Sequence, residues 1–475
     1  MRKIKKTKIV ATLGPASSSR ETIKAMMESG VNVFRINFSH ADYDDVLERI
    51  NIIRSLNVEL GFHVAILADL QGPKLRVGKM ADGTVVEEGQ EVVFTTEDVE
   101  IGSADAIYMN YKKFPKDVSA GERVLLDDGK LIFEVIDTDK KSRVRARVIQ
   151  GGALKSKKGV NLPNTKISLP ALTKKDIEDA LFAIKQGVDW IALSFVRHKK
   201  DIEDLRELIK KHGEYDIPII SKIEKPEALE NIKEIVAASN GLMVARGDLG
   251  VEVPAEEVPI IQKELVQQAK LARIPVIVAT QMMESMIDGL TPTRAEVNDV
   301  ANSVMDGADA VMLSGETSVG KYPVEVIKTM RRIVVGVENS SLIRVPHHAP
   351  KIKNKRFVTK SVCYHAATMA DEIDAKAICT LTNSGYTAYQ ISAWRPKASI
   401  LVFTSNPRIL AQLNLLWGVK GRLYDGTGST DDTVKEVNAI AKEKGYVDDG
   451  DLVINLVAMP VYERGMVNTL RVSSV

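Results

Sequence analysis

Residues 218–250 read PIISKIEKPEALENIKEIVAASNGLMVARGDLG, two apolar runs of strand length on either side of a helical segment. The runs Pro218–Glu224 and Leu242–Gly247 both end in polar or glycine-containing residues. Continuous apolar runs are typical of strands that are covered on both faces, as in a parallel sheet. The stretch therefore predicts a strand–helix–strand unit.

The same unit recurs along the chain, with eight apolar runs in all. The other six are Lys8–Leu13, Val33–Phe38, Val64–Leu70, Trp190–Phe195, Val276–Gln281 and Ala310–Glu316. Eight strand–helix units predict an α/β fold with a closed (β/α)8 TIM barrel, in which reactive residues lie at the carboxyl ends of the strands.

Helix signals separate these runs. Thr173 is a predicted N-cap with Asp176 three residues later, and Gly187 is a stop signal. In the first helix the predicted N-cap is Ser18 and the last turn closes at Gly30. The predicted apolar face of the helix after Thr173 consists of Ile177, Ala180, Leu181 and Ile184.

Two further domains accompany the barrel. Residues 71–166 show period-2 alternation and turn dipeptides such as Asp128-Gly129, which predicts an inserted small β-barrel lid domain. The barrel would then comprise residues 1–70 and 167–342. The segment His347–Arg356 is polar and basic and is predicted to be a linker. Residues 343–475 are predicted to form a C-terminal α/β regulatory domain with strands in Lys376–Thr382, Ile400–Thr404, Leu452–Val457 and Thr469–Val475.

Composition limits the class of protein. The chain has 475 residues, 44% of them hydrophobic and 27% charged, with a net charge of +2. This is typical of a globular protein and gives no reason to expect binding to nucleic acid or to a membrane. The two cysteines, Cys363 and Cys379, are too few for a disulfide framework, and no signal peptide is recognisable. We expect a cytoplasmic protein.

Polar side chains cluster at the ends of the predicted barrel strands. Residues two apart on a strand point the same way, so Arg35, Asn37 and Ser39 share one direction, and Lys222 and Glu224 share another. Glu224 and Asp248 could supply the one or two carboxylates that Mg²⁺ (or Mn²⁺) prefers. Any one of these charges alone could form a salt bridge at the rim; their convergence favours a site. Thr280 and Ser314 extend the ring, although each could be a local hydrogen-bonding residue.

Five motifs at these positions resemble the pyruvate kinase family, in order and spacing. They are Phe34–His40 (FRINFSH), Ile220–Glu224 (ISKIE), Met243–Glu252 (MVARGDLGVE), Ala279–Met286 (ATQMMESM) and Met312–Thr317 (MLSGET). The resemblance covers essentially the whole chain. It implies a glycolytic phosphotransferase that uses phosphoenolpyruvate and ADP and forms pyruvate and ATP, and it implies a homotetramer.

The resemblance also implies residue roles. Lys222 would stabilise charge on the transferring phosphoryl group, Glu224 and Asp248 would hold magnesium, and Arg35 would hold phosphate. Gly247 and Thr280 would meet the substrate carboxylate. Thr280, with a relay through Ser314, Glu316 or water, would protonate the enolate. The implied nucleotide contacts are Asn37, His40, Arg76 and Lys158.

Two regulatory features follow from the same resemblance. Arg294 would reach across a subunit contact, although a surface role is equally compatible with the sequence. The loop Thr382, Asn383, Ser384, Gly385, Tyr386 and Thr387 resembles the family's effector phosphate loop, for a sugar phosphate or nucleotide effector; an ordinary helix N-cap is the alternative. The companion loop, Glu463–Asn468, departs from the family's glycine-rich form, which argues against fructose 1,6-bisphosphate.

The potassium site implied by the family is altered here. Its side chains match Asn37, Ser39 and Asp69, but Leu70-Gln71 and Lys74 replace the Thr-Lys and glutamate of potassium-dependent members. Potassium-independent members share the lysine pattern. We therefore expect the ammonium of Lys74 to occupy the space near Asp69 and to make K⁺ unnecessary.

Two other functions remain compatible with part of this pattern. A metal-dependent aldolase would share the enolate chemistry but would need neither the insertion nor the third domain. A catalytically inactive sensor of sugar phosphates would not need Lys222, Glu224 and Asp248.

Overall fold

The computed structural model describes residues 5–340, 350, 355–426, 428–459 and 466–475, and the side chain of His40 lies outside this description. The predicted linker and the first half of the companion loop, with Glu463, fall largely on the other residues. In chain order the strands are β1 Lys8–Thr12, β2 Val33–Asn37, β3 Ala65–Asp69, β4 Val85–Val86, β5 Glu91–Thr95, β6 Ile107–Tyr108, β7 Arg123–Leu126, β8 Leu131–Thr138, β9 Arg143–Gln150, β10 Gly152–Ala153, β11 Val160–Asn161, β12 Trp190–Leu193, β13 Ile219–Ile223, β14 Gly241–Ala245, β15 Val276–Ala279, β16 Ala310–Leu313, β17 Ala377–Leu381, β18 Ser399–Thr404, β19 Val419–Leu423, β20 Leu452–Val457 and β21 Thr469–Ser474. The α-helices are α1 Arg20–Ser29, α2 Tyr43–Leu60, α3 Phe114–Asp117, α4 Lys174–Lys185, α5 Lys199–His212, α6 Pro226–Glu230, α7 Ile232–Ala238, α8 Arg246–Glu252, α9 Val258–Ala272, α10 Arg294–Asp306, α11 Gly315–Ser318, α12 Pro323–Glu338, α13 Phe357–Glu372, α14 Tyr386–Ala393, α15 Pro407–Leu413 and α16 Thr430–Glu443.

The eight predicted barrel strands are confirmed. They close into a parallel barrel in the order β1-β16-β15-β14-β13-β12-β3-β2. Most of their residues are buried, because the helices cover the outer face and the strands fill the barrel with their own side chains. All carboxyl ends therefore meet at one rim, and the polar residues that follow the strands are brought together there.

The inserted residues form a separate body between β3 and β12. A six-stranded sheet, in the order β11-β7-β8-β9-β5-β6, and the short pair β10-β4 enclose one apolar core. Three aromatic rings at its centre, Phe94, Phe114 and Phe133, meet edge to face. The predicted turn at Asp128-Gly129 joins β7 to β8, and β9 follows in the next hairpin.

The C-terminal residues form an α/β sheet in the order β19-β18-β17-β20-β21, in which β21 alone is antiparallel. Strand β19 is absent from the sequence prediction. It has the sequence VKGRL and buries only Val419, because it lies at the edge of the sheet and carries Lys420 and Arg422 instead of apolar residues.

Two details of the predicted helices are wrong. The N-cap of α1 is Ser19 rather than Ser18, and its side chain accepts a hydrogen bond from the Thr22 N–H. On α4, Ile177 is 37% exposed. The buried side of this helix carries Asp176 instead, which accepts hydrogen bonds from the Gly72 N–H at 2.9 Å and from Thr173. The predicted capping box of Thr173 and Asp176 is confirmed.

The C-terminal domain seals the amino-terminal end of the barrel. Ala411 and Leu415 join the apolar cluster inside the barrel, and the Trp190 indole N–H donates to the Gln412 carbonyl at 3.3 Å. Beside them Arg395 forms a two-pronged ion pair with Asp309, with both N···O distances at 3.0 Å. Both side chains of this pair are almost fully buried.

Within the described ranges, no helix is both long and apolar enough to cross a membrane.

Replacing Arg395 with Met should destabilise the docking of the two domains. The carboxylate of Asp309 would remain buried without its cation, a loss that costs about 3–5 kcal/mol in comparable buried pairs. Urea unfolding, followed by circular dichroism and tryptophan fluorescence, measures the change. Lys24→Met, which breaks an exposed pair with Glu59, is the matched control and should shift the urea midpoint far less, because solvent screens exposed ion pairs. Equal midpoints for the two variants would contradict this account.

Candidate active site

The ammonium of Lys222 is the centre of the rim. It donates to Ser194 Oγ at 2.7 Å and lies 3.0 Å from Glu224 Oε1 and 3.2 Å from Asp69 Oδ1. Its side chain is 11% exposed. Burial alone would lower the pKa of Lys222, but the carboxylates of Asp69 and Glu224 outweigh burial and raise that pKa above its ordinary value. The side chain is therefore a fixed cation at neutral pH.

A second cation continues this cluster towards β2. The Arg35 Nε donates to Asp69 Oδ2 at 2.6 Å, and its Nη1 donates to Thr12 Oγ1 at 3.1 Å. Burial raises the pKa of Asp69, but Arg35 and Lys222 together hold it below its ordinary value. The structure thus brings Arg35, Asp69, Lys222 and Glu224 together.

Glu224 and Asp248 form the acidic side of the site. Glu224 is buried, and its Oε2 accepts the Phe195 N–H at 2.6 Å. Burial, with repulsion from Asp248, raises the pKa of Glu224 against the opposing effect of Lys222. Within the described residues, the carboxylate of Asp248 has no hydrogen bond or ion pair, and no cluster of three or more metal-ligating side chains occurs. Two neighbouring carboxylates fit a divalent cation that completes its coordination with substrate oxygens and water.

Gly247 and Thr280, both expected to meet the substrate carboxylate, are hydrogen-bonded to each other in this structure. The Gly247 N–H donates to Thr280 Oγ1 at 2.7 Å, and this hydroxyl donates to its neighbouring carbonyl at Ala279. Thr280 has a φ of 68° and Gln281 a φ of 52°, a conformation that a β-branched residue rarely adopts. A Cβ on residue 247 would lie 3.2 Å from Thr280 Oγ1, so glycine permits this close approach.

Arg246 holds this strained turn and was given no role from the sequence. Its guanidinium donates to the carbonyl of Thr280 at 2.6 Å and, more weakly, to those of Ala279 and Gln281, both at 3.4 Å. An ion pair of 2.6 Å with Asp299 fixes its other end. Asp299 is 53 positions away along the chain, so no local sequence signal predicts the contact.

Ser314 lies at the end of β16, where Glu316 holds its backbone. Glu316 is buried, and its two oxygens accept the N–H groups of Ser314 at 2.7 Å and Met283 at 3.1 Å. Each oxygen of this carboxylate therefore accepts one backbone hydrogen bond, and together the two bonds shape the loop.

The lid faces the acidic side across a narrow cavity. Lys74 and Asp128 line it from the lid, and Lys225 and Asp248 line it from the barrel. Asn161 and Lys225 both donate to Glu252 Oε1, at 2.8 and 2.6 Å, and so join the lid to α8. Ser194, Lys225 and Glu252 were missed from the sequence because their partners lie on other elements.

The nucleotide residues are only partly assembled. Arg76 and Lys158 lie in the lid, where Arg76 donates to the Lys157 carbonyl at 3.0 Å and Lys158 pairs with Asp127 at 2.8 Å. Asn37 caps the 3₁₀ turn Phe38–His40 by accepting the Ser39 N–H at 3.1 Å. For His40 only the backbone is described.

The described residues show no ion pair between Lys74 and Asp69. Lys74 is exposed in the cavity between lid and barrel. Asp69 instead pairs with Arg35 and Lys222. Two cations of the barrel already compensate its charge, so the lysine of the lid has no unpaired carboxylate to approach there.

The predicted effector loop borders a cavity of about 510 Å³ in the C-terminal domain. Thr382, Asn383, Ser384 and Thr387 line it. Gly385 turns the chain at φ 77° into α14, and its N–H donates to Thr382 Oγ1 at 3.0 Å. The Thr387 hydroxyl oxygen accepts a hydrogen bond from the Thr380 hydroxyl at 2.9 Å, which leaves the Thr387 O–H able to donate.

Chemically, the rim offers fixed positive charge beside two carboxylates suited to a divalent cation, under a lid. Such an arrangement can stabilise charge that develops on a transferring anionic group.

Comparisons with known proteins agree with this chemistry. Residues 4–327 match the family model described as pyruvate kinase, barrel domain, and residues 360–473 match pyruvate kinase, alpha/beta domain. The chain is 44% identical over 470 residues to pyruvate kinase of Geobacillus stearothermophilus, covering 98% of this chain and 80% of that one. It is 44% identical over 467 residues to the Mycobacterium intracellulare enzyme, covering 98% and 97%. A crystal structure of a pyruvate kinase from Cryptosporidium parvum superposes with a TM-score of 0.93 at 33% identity, covering 99% and 96%.

Replacing Arg246 with Met should release Thr280 from its strained conformation and expose the Gly247 N–H. Hydrogen–deuterium exchange of the 246–252 segment should then rise by about tenfold or more, since each 1.4 kcal/mol lost is a factor of ten. Arg206→Met is the matched control. The Arg206 guanidinium also donates a hydrogen bond to a backbone carbonyl, that of Ala238, but this contact is far from the rim. Unchanged protection of this segment would show that Arg246 does not hold the turn.

Proposed function

The chain belongs to the pyruvate kinase family, phosphotransferases that move the phosphoryl group of phosphoenolpyruvate to ADP in glycolysis, and we propose that it performs this transfer around Lys222. The observation that carries the assignment is the ammonium of Lys222, fixed between Asp69 and Glu224 at the rim of the barrel. An aldolase is excluded by the two family matches. An inactive sensor would have no use for this buried charge cluster.

The cationic and acidic residues of the rim have different proposed roles. Lys222 and Arg35 stabilise negative charge on the phosphoryl oxygens, and Lys222 also stabilises the enolate oxygen that remains. Lys222 stays cationic without a proton transfer during the reaction, because its pKa is raised. Glu224 and Asp248 would hold Mg²⁺ (or Mn²⁺), which supplies positive charge to phosphoryl oxygens when bound.

The substrate carboxylate is proposed to lie against Gly247 and Thr280. The absence of a side chain at Gly247 lets a ligand approach the backbone, whose N–H donates to the Thr280 hydroxyl at 2.7 Å in this structure. Because this hydroxyl already donates to Ala279, water is the better final proton donor to the enolate, with Thr280 orienting it. Ser314 borders the same loop.

The remaining assignments concern binding and assembly. Asn37, His40, Arg76 and Lys158 are proposed nucleotide contacts, and closure of the lid would bring the last two towards the rim.

We propose a cytoplasmic homotetramer. Arg294, exposed at the start of α10 and without a partner in the described part of the chain, fits a subunit contact. The effector loop fits a phosphate group, because hydroxyls and a helix N-terminus meet there.

Lys222→Met should lower turnover with phosphoenolpyruvate and ADP by about 10²-fold or more, the loss typical of removing one electrostatic stabiliser. A coupled assay for pyruvate measures it, with circular dichroism as the test of folding. Lys200→Met, on the exposed face of α5, is the control and should leave turnover unchanged. Near-normal turnover of folded Lys222→Met would refute the role.

Glu224→Gln and Asp248→Asn should each weaken Mn²⁺ binding about tenfold, or ~1.4 kcal/mol, measured by electron paramagnetic resonance of free Mn²⁺. Because both carboxylates serve one ion, the double variant should lose less than the sum of the single losses. Glu207→Gln on exposed α5 is the control. Strictly additive losses would argue for separate sites.

The enzyme should keep most of its turnover when K⁺ is replaced by tetramethylammonium at constant ionic strength. The reason is that Lys74 adds a positive charge to the cavity between the inserted domain and the barrel, which Asp128 and Asp248 also line. Lys74→Glu should create a K⁺ requirement, whereas Lys79→Glu, an exposed lid lysine, should not. Loss of most of the wild-type activity without K⁺ would overturn the proposal.

A further inference from the structure

Two hinge segments join the lid to the barrel, and one short loop of the barrel contacts both. The chain leaves the barrel core at Leu70 and enters the lid core at Leu75. It leaves the lid at Leu169 and returns to the barrel core at Ala171. The loop that contacts both crossings is Ser194–Arg197, between β12 and α5, and we call it the connector loop.

The connector loop holds the first hinge, residues 70–74, by a hydrogen bond and by close packing. Ser194 Oγ donates to the Leu70 carbonyl at 2.7 Å. Gly72, with a φ of 70°, lies directly against the loop. A Cβ at this position would be 2.7 Å from Phe195 Cδ2 and 2.9 Å from Ser194 Cβ, which is closer than van der Waals contact. Glycine is therefore required where the hinge meets the loop.

Arg197 holds the second hinge, residues 167–170. Its two terminal nitrogens donate to the carbonyls of Ile167 and Leu169, both at 2.5 Å. The side chain is 13% exposed and lies 3.7 Å from the carboxylate of Asp201. A guanidinium presents its donors in one rigid plane, so it can hold two carbonyls of one segment at once. The second hinge therefore moves only if these bonds break or Arg197 moves with it.

The other side of the connector loop contacts the catalytic rim. Ser194 Oγ, which donates to the first hinge, also accepts the hydrogen bond of the Lys222 ammonium at 2.7 Å. The Phe195 N–H donates to Glu224 Oε2 at 2.6 Å. Phe195 has a φ of 54°, which residues other than glycine rarely adopt. A rotation of this backbone would turn the N–H away from Glu224.

The connector loop is short and anchored at its centre. Val196 is buried in the barrel core, and the Asn231 side chain donates to the Arg197 carbonyl at 3.0 Å. Coupling between sites is carried by packed side chains and hydrogen bonds that have discrete arrangements. A four-residue loop with so many fixed points transmits a displacement at Arg197 to Ser194 and Phe195.

We propose that the connector loop couples the orientation of the lid to the positions of Lys222 and Glu224. Arg197 is then a positioning residue, which acts through the loop and not on the substrate. The inference rests on the proposed function, in which Glu224 holds a metal ion and Lys222 stabilises the phosphoryl group. Thermodynamic linkage makes such coupling reciprocal, so a cation bound at Glu224 also restrains the hinges.

The first test is Mn²⁺ binding to the otherwise metal-free protein, measured by electron paramagnetic resonance of free Mn²⁺. Arg197→Met should weaken binding by about five- to tenfold, the lower part of the range for coupled sites. The direction of the change is informative. Arg197 lines the same cavity as Asp248, so the loss of its charge would by itself strengthen the binding of a cation.

Two further variants control for charge and for loss of a side chain. Arg197→Lys keeps the charge and a donor and should recover part of the affinity. Arg206→Met removes the same charge from α5 and breaks a bond to the Ala238 carbonyl, which belongs to neither hinge. It should bind Mn²⁺ as the wild type does.

A second pair of variants displaces the connector loop without changing any charge. Gly72→Ala places a Cβ against Ser194 and Phe195 and should weaken Mn²⁺ binding by about fivefold or more. Gly83→Ala is the matched control, because Gly83 has a φ of 77° but nothing lies within 4 Å of its Cβ position. Both variants carry the same backbone strain, so a difference between them reports contact with the loop. This pair decides the question if Arg197→Met does not fold.

Hydrogen–deuterium exchange tests the reciprocal effect. Saturating Mn²⁺ should slow the exchange of residues 70–76 and 166–171 in the wild type by about fivefold or more. In Arg197→Met, saturating Mn²⁺ should leave the exchange of residues 166–171 unchanged. A merely structural role of Arg197 would raise the exchange of this segment but would not remove its response to Mn²⁺.

The outcomes separate this proposal from the proposed function. If Glu224→Gln weakens Mn²⁺ binding while Arg197→Met and Gly72→Ala bind as the wild type does, the coupling is overturned and the proposed function stands. If Glu224→Gln binds Mn²⁺ normally, the metal assignment is wrong, and turnover decides the coupling through Lys222. Arg197→Met should then lower turnover at least about tenfold while Arg206→Met leaves it unchanged, and equal turnover of the two variants would overturn the coupling.

Discussion

One buried ammonium, that of Lys222, sets the arrangement of the catalytic rim. It joins Asp69 at the end of β3, Ser194 after β12 and Glu224 after β13. Removing such a charge from water is costly unless partners surround it. The three contacts meet this requirement only when their strands stand in the correct register, so the position of the charge and the closure of the barrel depend on each other.

The same cluster determines the surroundings of the acidic pair, Glu224 and Asp248. Glu224 already compensates Lys222 on one side and receives the Phe195 N–H on the other. Asp248 has no such partners in the described residues, yet it is close enough to raise the pKa of Glu224. At the rim, the charge of Asp69 is therefore compensated by two cations, whereas the charge of Asp248 is not compensated. A rim with this polarity fits the proposed binding of an anionic substrate across it.

Periodicity and strand ends made the barrel and the central residues of the site predictable from the sequence. Arg35, Lys222, Glu224 and Asp248 follow apolar runs, and parallel strands bring such ends together. Contacts between distant elements were not predictable. The clamp of Arg246 on Thr280, the bond of Asn161 to Glu252 and the pairing that keeps Lys74 away from Asp69 all depend on tertiary geometry. Strand β19 was not predicted because its sequence has a lysine and an arginine where a core strand would have apolar residues.

The seal over the barrel also bears on how this chain folds during synthesis. Ala411 and Leu415 complete the interior of the barrel, yet they emerge from the ribosome well after β16 has closed the circle of strands. At ordinary elongation rates the delay is on the order of ten seconds. During that interval the nascent barrel is open at one end and exposes Trp190 and its apolar neighbours. Chaperones that hold unfinished chains would find their binding surface there, and docking of the α/β domain would release them.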